Sequence, residues 1–170
     1  MGGIYINIKN IKSDKWYEKL EKEVEDALRY SHEDLPIKCD NFEIDSYVWE
    51  SLEMIYEYIT GEREVDLDKI EGDLENIYHD VWYNPFLKKQ IQVNWSTWRK
   101  THFGFLCYLA QTQIKYDKKK ELIPKEVSVL AGITPNAVRN KIKEGKIDAH
   151  KLGGVYLIEY EGYKDLAYFR

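Results

Sequence analysis

Only two cysteines, Cys39 and Cys107, occur in the 170-residue chain, and no CxxC spacing is present. A disulfide framework and a cysteine zinc cluster are thereby excluded, and a reducing cytoplasm is the expected compartment. Long apolar runs are missing as well, because no stretch approaches the roughly 20 uninterrupted apolar residues of a membrane span. The opening Met1-Gly2-Gly3-Ile4-Tyr5-Ile6-Asn7 has neither the basic start nor the apolar run of a secretory signal, so no membrane partner is expected. Four prolines and ten glycines leave no room for a low-complexity tail.

Chemistry-bearing motifs are equally scarce. There is no GxGxxG, P-loop or GxSxG. Glu75 and His79 can share a helix face, but two ligands fall short of a metal site. Asp80, Glu71 and Glu75 lack a base or nucleophile partner. His102 falls on an apolar stripe, where a hydrogen-bonded core histidine is the plainer reading. Cys107 sits within Phe105-Leu106-Cys107-Tyr108, an apolar setting that raises a thiol pKa and makes it inert. No catalytic, cofactor-binding or metal-binding residue is assigned, and the chain reads as a non-enzyme.

Charge is present but unevenly placed. Residues 1–87 hold nine Lys/Arg against 22 Asp/Glu, a balance of −13, whereas residues 88–170 hold 16 against eight, a balance of +8. Such asymmetry points to two parts with different partners. At 44% hydrophobic residues the chain can bury a core in each.

Periodicity predicts a mainly helical N-terminal part. Ile4, Ile6 and Ile8 alternate as in a short half-buried strand. Ser13 or Asp14 caps a helix whose Trp16, Leu20, Val24 and Leu28 repeat every four positions. Asp34 to Asn41, with Pro36, is a break. A second helix starts at Asp45 or Ser46, buries Val48, Leu52, Ile55 and Ile59, and ends at Gly61. A third spans about Asp68 to Trp82, with Ile70, Leu74, Ile77 and Val81 inward, and Asn84-Pro85 interrupts. The fourth spans Trp95 to Ile114, with Trp98, His102, Phe105 and Leu109 on one stripe. Lys115 to Glu121 reads as a basic hinge.

The aromatics Trp82, Tyr83, Phe86, Trp95 and Trp98, beside Lys88, Lys89, Arg99 and Lys100, admit three readings. They can stack single-stranded bases, form a protein interface, or pack a core. Core packing explains most of them.

Beyond the hinge the pattern changes. Pro124 opens a helix, Lys125 to Ala131, that ends at Gly132, and Ile133 follows as a buried plug. Thr134-Pro135 caps a second helix that runs to Glu144 and stops at Gly145. Extended runs Ile147–Leu152 and Val155–Tyr160 flank Gly153-Gly154, a hairpin signal. Helix, turn, helix and hairpin together describe a winged helix. At 100° per residue, Val138 and Ile142 face inward, joining Val127, Leu130, Ala131 and Ile133 in a small core. Asn136, Arg139, Asn140 and Lys143 face outward with no carboxylate among them, and Glu144 lies at the border. Arg can bond guanine O6 and N7, Asn can bond adenine N6 and N7, and Lys can neutralise a phosphate. Thr134 and the helix N-terminus suit the DNA backbone, and Lys151 and His150 suit phosphates or a minor groove. A short amphipathic helix also has a polar outer face without any such role.

The segment Ile123–Ile158 resembles the excisionase/MerR-type winged helix-turn-helix. The likeness is carried by Lys125-Glu126-Val127, Leu130-Ala131-Gly132-Ile133-Thr134, Val138, Ile142, Glu144-Gly145-Lys146-Ile147 and Gly153-Gly154. It covers under a third of the chain and implies double-stranded DNA binding through the second helix and the wing. Val155 stands where many relatives carry Arg, and Pro135 where many are basic or polar.

The expected architecture is therefore mainly α with a small β part (α+β). An acidic, mostly helical oligomerisation or partner-binding domain spans 1–114, a basic hinge spans 115–122, and a winged helix-turn-helix spans 123–170. The expected function is a cytoplasmic, sequence-specific duplex-DNA regulator, such as a phage-type repressor, an excisionase-like factor or an autoregulating antitoxin, acting as a homodimer. The DNA-binding set is Thr134, Asn136, Arg139, Asn140, Lys143 and Lys151. The alternative is an inhibitor protein whose acidic cluster Glu62, Glu64, Asp66, Asp68, Glu71, Asp73 and Glu75 holds a basic nuclease or toxin, with the winged helix controlling its own promoter. A solvated helix face is the plainer reading of that cluster.

Overall fold

The computed structural model describes residues 11–33, 46–84, 89–90 and 98–166. These are mainly helical, with two small two-stranded antiparallel sheets. The strand expected at Ile4–Ile8, the break at Asp34–Asn41, and Pro85, Phe86 and Trp95 lie outside the described residues. The chain divides into two compact units, with the boundary between Tyr108 and Leu109 rather than at the expected hinge.

In the N-terminal unit, α1 (Asp14–Glu33), α2 (Ser46–Thr60) and α3 (Leu67–Trp82) follow the fourfold apolar spacing. Trp16, Leu20, Val24, Val48, Leu52, Ile55, Ile59, Ile70, Leu74 and Ile77 are all buried, as the spacing predicts. Asp66 caps α3, its carboxylate accepting the Asp68 N–H at 2.9 Å. A short pair, β1 (Tyr83–Asn84) and β2 (Lys89–Gln90), follows. Trp98 is buried and packs edge-on against Tyr78 and Phe103 at 5.7 and 5.6 Å. For Trp98, core packing is the arrangement observed.

Helix α4 (His102–Asp117) follows a turn closed by the Thr101 N–H donating to the Trp98 carbonyl, and the start expected at Trp95 lies outside the described residues. Its buried positions include Phe103, Leu106, Cys107, Tyr108, Leu109, Ala110 and Ile114, whereas Phe105 is only half-buried. His102 is the hydrogen-bonded histidine expected: its Nδ1 lies 2.9 Å from the Glu23 carboxylate, which also accepts the Phe103 N–H.

The C-terminal unit begins within α4. Lys115 to Glu121 does not form the free hinge read from its polarity. Lys115 pairs with the buried Glu126 at 2.5 Å, Tyr116 is buried, and Leu122 bridges antiparallel to Ile158. The charges of this segment hid those anchors. Next come α5 (Pro124–Leu130), α6 (Pro135–Lys143), β3 (His150–Leu152), β4 (Val155–Leu157) and α7 (Tyr160–Tyr163). Gly153 and Gly154, with φ of +57° and +85°, make the two-residue turn between β3 and β4. Both strands are shorter than their apolar runs, and α7 has no counterpart in the sequence reading. The core of this unit holds Val127, Leu130 and Val138 as expected, but Ala131, Ile133 and Ile142 are only half-buried. Leu122, Ile147, Ile158 and Tyr163 complete it. Tyr116, Tyr160 and Tyr163 pack against one another edge-on or tilted, with ring centres 5.5 to 5.7 Å apart.

Candidate nucleic-acid interface

Helix α6 is held at three points. Thr134 takes an extended backbone, and its Oγ1 accepts the Ala137 N–H at 3.1 Å, satisfying one first-turn donor. Pro135 fills the first helical position, where no N–H is needed. Val138 is fully buried and pins the middle of the helix. With that face fixed, Asn136, Arg139, Asn140 and Lys143 are exposed, together with Thr134. No carboxylate interrupts them between Pro135 and Lys143.

Two of these side chains are already coupled. Arg139 donates from Nη1 to the Asn136 Oδ1 at 2.9 Å. The bond limits the rotamers of a long side chain, so less freedom is lost when the guanidinium meets a partner. At the end of the helix Glu144 turns away to Lys146, 2.8 Å distant. The hydrogen bond from Lys146 and its charge hold the Glu144 carboxyl below the usual range.

On the hairpin, Lys151 is exposed and lies 4.7 Å from the centre of the Tyr156 ring, its cross-strand partner. The ring supports the ammonium without neutralising it. At the tip Leu152 and Val155 face each other across the turn, 68% and 49% exposed. His150 has a different setting from the one expected: its Nε2 lies 3.5 Å from the Glu121 Oε1, and Glu159 completes a group of three around it. Two carboxylates beside it are a poor surrounding for a phosphate contact.

In the N-terminal unit the acidic cluster is not a uniform surface. Glu62, Glu64, Asp66, Asp68, Glu71 and Glu75 are exposed, but Asp73 is buried. Burial pushes the Cys107 thiol well above its ordinary range, as its apolar neighbours imply. Among the described residues no helix is long and apolar enough to cross a membrane. No protein-family model, curated protein sequence or solved structure matches the chain.

Proposed function

We propose that the chain is a sequence-specific, duplex-DNA-binding regulator whose C-terminal unit acts as a winged helix-turn-helix. The observation that carries the reading is the outer face of α6, where Asn136, Arg139, Asn140 and Lys143 are all exposed without a carboxylate among them. A major groove admits a helix, and Arg and Asn are the side chains that bond two edge atoms of guanine and adenine. Lys143 and Lys151 supply the phosphate charge that any groove binder needs. Leu122 paired to Ile158 and the β3–β4 hairpin are the strands of the wing.

One such unit spans only a few base pairs, so the regulator acts as a homodimer on two half-sites, with the N-terminal unit as its assembly or partner-binding part. The reading needs neither catalysis nor a cofactor. The test is fluorescence anisotropy on duplex DNA from the region upstream of the chain's own gene, with a random duplex as control. Wild type should prefer its own region and weaken as salt rises. Arg139→Ala/Asn140→Ala should lose at least about tenfold, since each bidentate contact contributes ~1–3 kcal/mol of discrimination. Equal affinity of wild type and double variant for both duplexes would reject the assignment. The inhibitor reading, with the acidic face of α3 as its surface, would then take its place.

A further inference from the structure

We propose that Glu121, His150 and Glu159 form a binding site for one divalent transition-metal ion, with zinc as the reference ion. The three are far apart in sequence but are brought to one face by strand pairing. Leu122 is bridged to Ile158, so Glu121 and Glu159 form the next antiparallel pair outward. His150 is opposite Leu157 in the hairpin, and Glu159 lies two residues along from Leu157, on the same side of the pleat. Leu122 and Ile158 face the core, both fully buried, so the alternate residues Glu121, His150 and Glu159 face solvent.

The geometry suits an ion. One nitrogen and two carboxylate oxygens lie within 4.8 Å of one another. The His150 Nε2 to Glu121 Oε1 separation is 3.5 Å, longer than a good hydrogen bond. A tetrahedral zinc ion with bonds of ~2.0–2.2 Å sets adjacent ligands about 3.4 Å apart, close to that separation. The remaining distance to Glu159 closes by rotation of an exposed side chain. Without a cation, two carboxylates sit on directly opposite strand positions, an unfavourable like-charge pair. A dication removes that repulsion and balances both charges. Imidazole favours zinc, nickel and copper over magnesium and calcium, and three protein ligands leave the fourth position to water. Ion binding would tie the segment before α5 to both strands of the hairpin, and it does not depend on the DNA-binding reading.

The experiment uses the full chain, stripped with a chelator and titrated with cobalt(II) chloride as the visible stand-in for zinc. One equivalent should develop the absorption bands of tetrahedral cobalt, zinc should displace them, and zinc should raise the thermal midpoint. His150→Ala, Glu121→Gln and Glu159→Gln should each abolish the bands. All three side chains are exposed, and circular dichroism checks that each variant folds. Should one variant unfold, the other two and the imidazole nitrogen resonances of zinc-titrated wild type decide the matter. Absence of bands and of a midpoint shift in wild type would overturn the proposal. So would bands that persist in His150→Ala.

Discussion

Tyr163 shows how one buried side chain joins several segments of the C-terminal unit. Its ring packs against Tyr116 and Tyr160, and its hydroxyl donates to the backbone carbonyl of Lys120. Burial first, and then the neighbouring Tyr160 and Tyr116, push its pKa from 10.0 up to about 12. A phenol that ionises later in the folded than in the unfolded chain keeps its proton where the unfolded chain has lost it. Its contribution to stability is therefore complete below pH 10 and is lost as pH rises from 10 to about 12. Burial shifts Tyr17, Tyr56 and Tyr78 in the same direction. Urea midpoints should hold steady from neutral pH to about 9 and then fall across that window. Tyr163→Phe should flatten part of the fall. A midpoint that does not move through pH 11 would contradict the burial of this hydroxyl.

Among the elements, α4 shows what the sequence made legible and what it concealed. Trp98, His102, Phe105 and Leu109 satisfy a helical spacing, yet the helix begins at His102. Its true start is a cap: Thr101 Oγ1 accepts the Gly104 N–H at 3.0 Å, while Thr101 donates from its N–H and its hydroxyl to the Trp98 carbonyl. A spacing rule counts apolar residues and is blind to a tight turn between them. Helices α1, α2, α3 and α6 were readable because each carries its stripe and an end signal together. Leu122, Ile158 and the group around His150 were not, since their partners are set by strand register between segments far apart in the sequence. The outer face of α6 needed only helical geometry, so all four of its polar residues were found.

The cap also fixes how closely α4 approaches the turn before it. A Cβ on Gly104 would stand 2.2 Å from the Trp98 carbonyl oxygen and 2.6 Å from its ring. Gly104→Ala must push the turn away and weaken both bonds to that carbonyl. We expect a loss of ~1–3 kcal/mol, the usual range for an overpacked site, read as a lower urea midpoint with an unchanged slope. A variant as stable as wild type would mean that Trp98 yields freely.

For the whole molecule the governing quantity is the division of charge. The first 87 residues carry −13 and the remainder +8. DNA attracts the second part and repels the first, and salt weakens both effects, since exposed charges are screened over about 8 Å at physiological ionic strength. On the proposed reading the base-specific contacts come from α6, whereas the repulsion is indifferent to base sequence. Acidic residues of the N-terminal unit should therefore weaken random-duplex and true-site binding by the same factor. Glu62→Gln, Glu64→Gln, Glu71→Gln and Glu75→Gln together remove four exposed negative charges. The combined variant should bind both duplexes more tightly at low salt, lose that gain as salt rises, and keep the ratio of own-site to random affinity. Anisotropy titrations at several salt concentrations measure all three. If random-duplex affinity is unchanged even at low salt, these carboxylates do not act on DNA, and a basic protein becomes the partner to seek for them.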